Sequence, residues 1–410
     1  MLVGRKLSRV SGWSVRTRLR RVRETDRERF RKDYGFTTDR ICSQSIFSDQ
    51  PGNSLWVPEY YDEIWSWLCG CPRLSSIATV KQGFAHKARN SLPKGARTVD
   101  KRDFEGAVRG FATSAGNWCA HERPWEYYVS VDPATVRLRG GRPDVGNPQV
   151  LVSYAPVSRG KWRLKPFVDS HGRAYTSRFV SVRPKGSTVP LEYLWALCCS
   201  PLANAYFFTH TLKRENRVGV FERMAIPPAG PVAIRRVVRS VHEYFEAASA
   251  GASDLFHDGF SESQQIERLL RLDAEVLRLY DLPARAERTL LDLFRGEARP
   301  GVPMPFSRYY PEEFTDSVPL YVYLSDSFQR KLNGRDPTLP AAVESRYEEL
   351  MERQEAGTVT LDEQDELYDL QAEVDGLDYA LQISDDSWLE QADERQREHG
   401  QYAPQNRGRL

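Results

Sequence analysis

The chain of 410 residues is 40% hydrophobic and sets 58 Lys and Arg against 56 Asp and Glu. It is long enough for a sizeable core, and at roughly 100 to 200 residues per domain it should hold two or three domains. Its richest apolar run, Leu191 to Cys199, falls far short of the roughly 20 residues that span a bilayer, which excludes a transmembrane helix. The cysteines (Cys42, Cys69, Cys71, Cys119, Cys198, Cys199) include an adjacent pair and suit no disulfide framework, so a reduced, cytoplasmic setting is expected. Cys69-Gly70-Cys71 is too tightly spaced for a zinc pair and reads as two small residues at a helix end.

The near-neutral balance hides segregation. Met1 to Asp33 holds 12 cations to 4 anions, Lys81 to Pro227 holds 24 to 11, and Ala341 to Glu398 holds 4 to 19. The opening stretch, free of acids before Glu24, has two readings. One is a disordered or weakly helical basic arm that touches nucleic acid nonspecifically; the other is a targeting peptide, disfavoured by a poor hydrophobic face.

Along the chain, Tyr61, Ile64, Trp65 and Leu68 lie at helical spacing, predicting a short amphipathic helix over Pro58 to Leu68. From Leu74 the pattern turns to short β-rich runs between Gly and Pro, with period-two alternation in Tyr127 to Val131 and Val150 to Val157. Leu191 to Pro228 reads as a buried helix, a loop carrying cations and a short strand closed by prolines. Three amphipathic helices follow: Ile234 to Ala248, one opened at Ser261 by a capping box with Gln264, and one after Pro283 that Gly296 stops. Arg299 to Phe314 is Pro-rich and irregular. Beyond Pro340 helical spacing (Tyr347, Leu350, Met351; Leu367, Leu370, Val374, Leu377) predicts a hairpin around Gly357, and Gln396 to Leu410 should be disordered.

Catalytic signatures are missing. A methyl donor requires a glycine-rich loop after a first strand, and a flipped adenine requires an Asn/Asp-Pro-Pro-aromatic tetrapeptide; the sequence has neither. Asn147-Pro148 sits between strands as a turn, and Pro227-Pro228 has no polar neighbour to complete the motif. The seven histidines are scattered, and Pro143-Asp144 lacks the acid-x-Lys element of a nuclease on the following strand. What remains is a binding surface. Ser158-Arg159-Gly160-Lys161-Trp162-Arg163-Leu164-Lys165 interleaves cations with an indole, and Arg173, Arg178, Arg183 and Lys185 follow. Lys and Arg neutralise phosphates, while Arg and Asn read base edges. A solvated charged sheet face with Trp162 capping the core is the competing explanation. The same two readings apply to Lys213, Arg214, Asn216 and Arg217, with His210 before them read as a partly buried, satisfied histidine. Lys81, Lys87, Arg89, Lys94 and Arg97 form another basic loop, after a turn at Gly83.

Leu74 to Gly83, Tyr154 to Arg163, Thr176-Ser177-Arg178-Phe179, Ser200 to Tyr206 and Gly219 to Pro228 together resemble, in order, the target recognition domain of class I adenine-specific (N6) DNA methyltransferases and of restriction-modification specificity subunits. Leu272 to Phe314 resembles the helical extension after it. The resemblance covers about Phe47 to Leu324 and lacks the family's catalytic domain. It implies an α+β fold: a disordered basic arm (1–46), a helical lead-in (47–73), a recognition domain (74–228), a helical extension (229–324) and an acidic helical tail (325–410). It further implies double-stranded DNA as partner, no cofactor in this chain, and a separate catalytic methyltransferase subunit carrying S-adenosylmethionine. The expected DNA contacts are Arg159, Lys161, Trp162, Arg163, Arg178, Lys213, Arg214, Asn216 and Arg217. Two alternatives stand beside it: a C-terminal fragment of a site-specific adenine-N6 methyltransferase, and a scaffold that binds a basic partner through the acidic tail.

Overall fold

The computed structural model describes residues 16–22, 26–48, 57–114, 124–137, 145–157, 160–211, 215–253, 262–302, 304–311 and 314–383. The chain divides into two compact units, Met1–Tyr61 and Asp62–Leu410.

In the first unit, β1 (Arg16–Arg21) pairs antiparallel with β2 (Thr38–Ser43), and the connection carries α1 (Arg27–Asp33). A helical turn, α2 (Ser45–Ser48), follows. The arm expected to be disordered over 1–46 is therefore ordered in most of its described part. Its charge obscured a period-two pattern: Arg16, Arg18 and Arg20 are exposed while Thr17, Leu19 and Arg21 are half-buried. The loop back to β2 is closed by Tyr34, at φ 57°, whose N–H reaches the Phe30 carbonyl at 3.0 Å.

The second unit is α+β, with sheets in its first half and helices after them. The helix predicted over Pro58 to Leu68 is only a wide turn, Tyr61–Trp65, although Ile64, Trp65 and Leu68 are buried as their spacing implies. A short helix, α3 (Leu74–Ile77), leads into β3 (Ala78–Gln82). One sheet has the order β3-β10-β7-β8, built with β7 (Gln149–Ser153), β8 (Pro166–Asp169) and β10 (Phe179–Pro184), all antiparallel. The other has the order β4-β6-β5-β9, from β4 (Val99–Asp100), β5 (Ala107–Phe111), β6 (Glu126–Ser130) and β9 (Ala174–Tyr175), the last pairing parallel with β5. Phe111, Leu151, Phe167, Tyr175 and Phe179 form one buried cluster drawn from both sheets. Every residue of β7 is buried, as a strand covered on both faces requires.

A buried polar chain crosses this region. Arg183 donates to Gln149 Oε1 (2.8 and 3.0 Å), Gln149 donates to Asp169 (2.9 Å), and Asp169 accepts from Arg173 (3.2 Å), which also meets Glu126 at 3.0 Å. Two of the four trailing cations that follow the Trp162 loop in sequence, Arg173 and Arg183, are thus consumed inside the fold.

α4 (Leu191–Cys199) and α5 (Pro201–His210) are almost wholly buried, and α4 packs on β8, β7 and β10. A six-residue helix, α6 (Val218–Arg223), precedes the expected short strand, which is a brief extended pairing: Ala225 bridges Arg73, the Leu74 N–H donates to Met224 O at 2.8 Å, and the Ile226 N–H donates to Pro72 O at 2.9 Å. Then come α7 (Pro231–Ser253), α8 (Glu262–Arg278) and α9 (Ala284–Asp292). The Ser261 cap lies outside the described residues. Short helices α10 (Leu320–Tyr323) and α11 (Asp326–Leu332) precede the predicted hairpin, α12 (Ala341–Glu355) and α13 (Leu361–Gln382), with Gly357 at φ 68° in its turn. Thr360 and Glu363 form a reciprocal capping box at the start of α13.

The acidic segment is not a free tail in its described part, because α13 packs on α7, α10 and α11. Arg236, 6% exposed, pairs with Glu275 (3.0 Å) and with Asp369, while Asp365 meets Arg239 (2.7 Å) and Arg235 (3.3 Å). Arg278 lies over the Tyr368 ring at 3.6 Å. The expected disorder of Gln396 to Leu410 falls outside the described residues.

Glu287 is buried on α9 and accepts the Leu320 N–H at 2.6 Å. Burial pushes its carboxyl up to about 7 from 4.5, with that hydrogen bond pulling the other way. The unfolded chain ionises first as pH rises, so this contribution to stability is complete below about pH 4.5 and is lost as pH climbs through about 7. Denaturant midpoints should therefore fall between about pH 5 and 8 by an amount equivalent to roughly 3 kcal/mol. Glu287→Gln, which keeps the acceptor, should flatten that slope, whereas an unchanged slope would assign the pH dependence elsewhere.

Candidate nucleic-acid interface

The Trp162 loop is pinned from three sides. Asn204 of α5, 1% exposed, accepts the N–H groups of Arg163 and Leu164 on one oxygen, both at 2.8 Å, and donates to Ser200 O (2.9 Å) and Cys199 O (3.3 Å). Ser200 caps α5 by accepting from Ala203 N–H at 3.2 Å, with Pro201 in the first helical position. Glu297 accepts the Lys161 N–H at 2.9 Å and stands 3.8 Å from its ammonium. Asn216, also 1% exposed, donates to Ser153 O (2.8 Å) and Arg163 O (3.3 Å).

These contacts correct the expected contact set. Trp162 is 3% exposed, lies 4.2 Å from Phe294 between ring centroids, and has the Arg299 guanidinium 4.8 Å above it. It caps the core and cannot stack on a base. Asn216 is a structural bracket whose amide is spent on backbone carbonyls. Lys161 is neutralised by Glu297. Arg163 is half-buried with its guanidinium 5.7 Å from the Phe208 ring, and burial lowers its pKa. Arg159, Lys213 and Arg214 lie outside the described residues. His210 stacks on Tyr206 at 3.9 Å, and burial drives its pKa down to about 3, so it is a neutral core histidine.

Arg178 and Arg217 remain, and the fold brings them to the same end of the first sheet through Tyr154. The Tyr154 N–H donates to Arg178 O, and the Tyr154 carbonyl accepts from Asn216 N–H, each at 2.8 Å. Arg178 is exposed and forms no ion pair among the described residues, whereas Arg217 meets Glu215 at 3.1 Å. Burial, then a hydrogen bond to Glu215, raises the Tyr154 phenol above its ordinary pKa.

The turn bearing Arg178 adjoins the basic loop after β3. Gln82 Nε2 donates to Ser177 O (3.1 Å), Ser177 N–H donates to Phe84 O (2.7 Å), and Phe84 bridges Thr176. The approach is so close that a Cβ on Gly83 would lie 2.2 Å from Thr176 O, which is why glycine stands there. The loop is then stapled at its base: Lys87 N–H to Thr135 O and Arg137 N–H to Ala85 O, both 2.8 Å, with His86 Nε2 3.0 Å from Ser130 O. Its far end is tied by Ser130 N–H to Thr98 O at 2.8 Å. From Lys81 to Arg97 the sequence has five cations and no acid. Lys81, Arg89, Lys94 and Arg97 are exposed, Lys87 is half-exposed, and Arg137 is exposed beside the stapled base. Arg97 stands 3.8 Å from Asp100; Lys87, Arg89, Lys94 and Arg137 make no ion pair among the described residues.

The sequence singled out this loop but ranked it below the indole-bearing one. The usable signal was the acid-free run, since the acids that neutralise the other loops are distant in sequence, as Glu297 is from Lys161.

No protein-family model and no curated protein matches this chain. Two solved structures share part of its arrangement. A Type IIL restriction-modification enzyme, MmeI, in complex with DNA is similar at 11% identity and a TM-score of 0.26, over 38% of this chain and 19% of that one. An HsdS subunit from Thermoanaerobacter tengcongensis is similar at 17% identity and a TM-score of 0.28, over 51% of this chain and 44% of that one. The chain spans less than half the length of either. Likeness at this level carries no functional weight, which the side chains must supply. No helix among the described residues is long and apolar enough to cross a membrane.

Asn204→Ala should remove four hydrogen bonds at a buried site and strand two N–H groups, destabilising the fold by about 3 kcal/mol in urea denaturation. A loss below about 1 kcal/mol would mean that the Trp162 loop is held without the clasp.

Proposed function

We propose that this chain is the DNA-recognition module of a restriction-modification system, docking on duplex DNA through the stapled Lys81–Arg97 loop together with Arg137 and Arg178. The observation that carries this reading is the acid-free run of cations on a loop fixed at both ends, with most of its charges unpaired and exposed. Phosphate neutralisation needs mobile or exposed cations, and base readout needs a rigid frame to set register. The sheet supplies the frame through Gly83, Thr135 and Ser130. Gln82 and Tyr154 place an amide and a phenol beside Arg178, groups that hydrogen-bond to base edges and phosphates.

Methyl transfer to adenine would come from a separate polypeptide that binds S-adenosylmethionine, because the sequence has no donor-binding glycine loop and no Asn/Asp-Pro-Pro-aromatic tetrapeptide. The acids of α13 that engage Arg235, Arg236 and Arg239 are spent within the chain, which leaves the scaffold alternative with only the remaining acids of the segment.

Fluorescence anisotropy with a labelled duplex across a salt series tests this directly. The variant Lys87→Ala, Arg89→Ala, Lys94→Ala should bind at least about tenfold more weakly and lower the log-log salt slope by roughly two to three. Lys161→Ala should leave the slope unchanged. The reverse pattern would return the interface to the Trp162 loop.

A further inference from the structure

The first unit is built around a two-stranded ribbon whose open face is cationic. Strand periodicity sets Arg16, Arg18 and Arg20 on that face at steps of about 6.8 Å. Register places Ser43, Ile41 and Asp39 opposite them, all exposed. Asp39 is the acid on this face: Arg18 grips it with two nitrogens at 2.6 and 2.8 Å, and Arg20 stands 3.6 Å away with its guanidinium 4.5 Å over the Phe36 ring. Arg16 makes no ion pair among the described residues. Three cations against one anion leave the face positive, and Ile41 at its centre is 63% exposed. The linking α1 has no buried residue and adds Arg27, Arg29, Arg31 and Lys32, of which Arg31 pairs with Glu28 at 2.5 Å.

We propose that this ribbon is a second contact for duplex DNA, one that tracks phosphates without reading sequence. Charge complementarity selects the occupant: regularly spaced guanidiniums fit a polyanion, and a two-stranded ribbon is of a size that the roughly 12 Å major groove admits. Asp39 holds Arg18 and Arg20 in place in the free chain and surrenders them to phosphate oxygens on binding. This contact stands independently of the sheet-loop interface proposed above.

The experiment uses the full chain, with anisotropy across salt on two duplexes of unrelated sequence. Arg16→Ala with Arg18→Ala and Arg20→Ala should lower the salt slope by roughly two to three and weaken both duplexes by the same factor. The Lys triple variant at these positions should restore the slope, because charge rather than fork geometry serves phosphates. Asp39→Asn should strengthen binding severalfold, since it frees two guanidiniums. An unchanged slope in the Ala variant, failure of Lys to restore it, or no gain from Asp39→Asn overturns the proposal. Loss of binding in the Lys87/Arg89/Lys94 variant with these ribbon variants unchanged would leave the sheet-loop reading standing alone. Loss confined to the ribbon variants would do the opposite.

Discussion

The Asn204 carboxamide decides which surfaces of this molecule are available. By taking two successive N–H groups of the Trp162 loop and returning its own protons to the end of α4, it locks a cation-rich segment against the helices. Trp162 then completes a buried stack with Phe294 and Arg299, and Arg299 in turn pairs with Asp273, which also accepts from Tyr309 at 2.7 Å. A buried pair of this kind is costly to break, because the surviving charge would be left desolvated. Sheets and helices of the second unit are therefore coupled through a loop that looks, by composition, like an open binding element.

That coupling explains which parts of the fold were legible. Period-two alternation located β6 and β7, and helical spacing located α7, α8, α9 and the α12–α13 hairpin, because the apolar residues of each recur at one local period. Strand β8 and the residues of β5 were not evident, since Pro166 and Gly110 interrupt their patterns and partners distant in sequence complete them. The β1–β2 ribbon was hidden for a different reason: arginine at alternate positions reads as charge before it reads as a strand.

The site was legible in kind but not in place. A cation-rich β unit suggested a polyanionic partner, yet sequence cannot show where each cation's counter-charge lies. Lys161 meets Glu297, Arg173 meets Asp169 and Glu126, and Arg217 meets Glu215, so their net contribution to an external field is small. Arg89, Lys94, Arg137 and Arg178 have no such neighbours among the described residues. An aromatic amid cations was likewise ambiguous, because Trp162 serves the core as readily as it would serve a base.

On the proposed function, duplex DNA meets the stapled loop rather than the pinned one. Amide hydrogen exchange of the full chain, with and without a saturating duplex, tests it most directly. Protection should appear in residues 83–98 and 176–178, with 160–165 slow and unaltered in both states. New protection across 160–165 without change in 83–98 would put the DNA on the pinned loop instead.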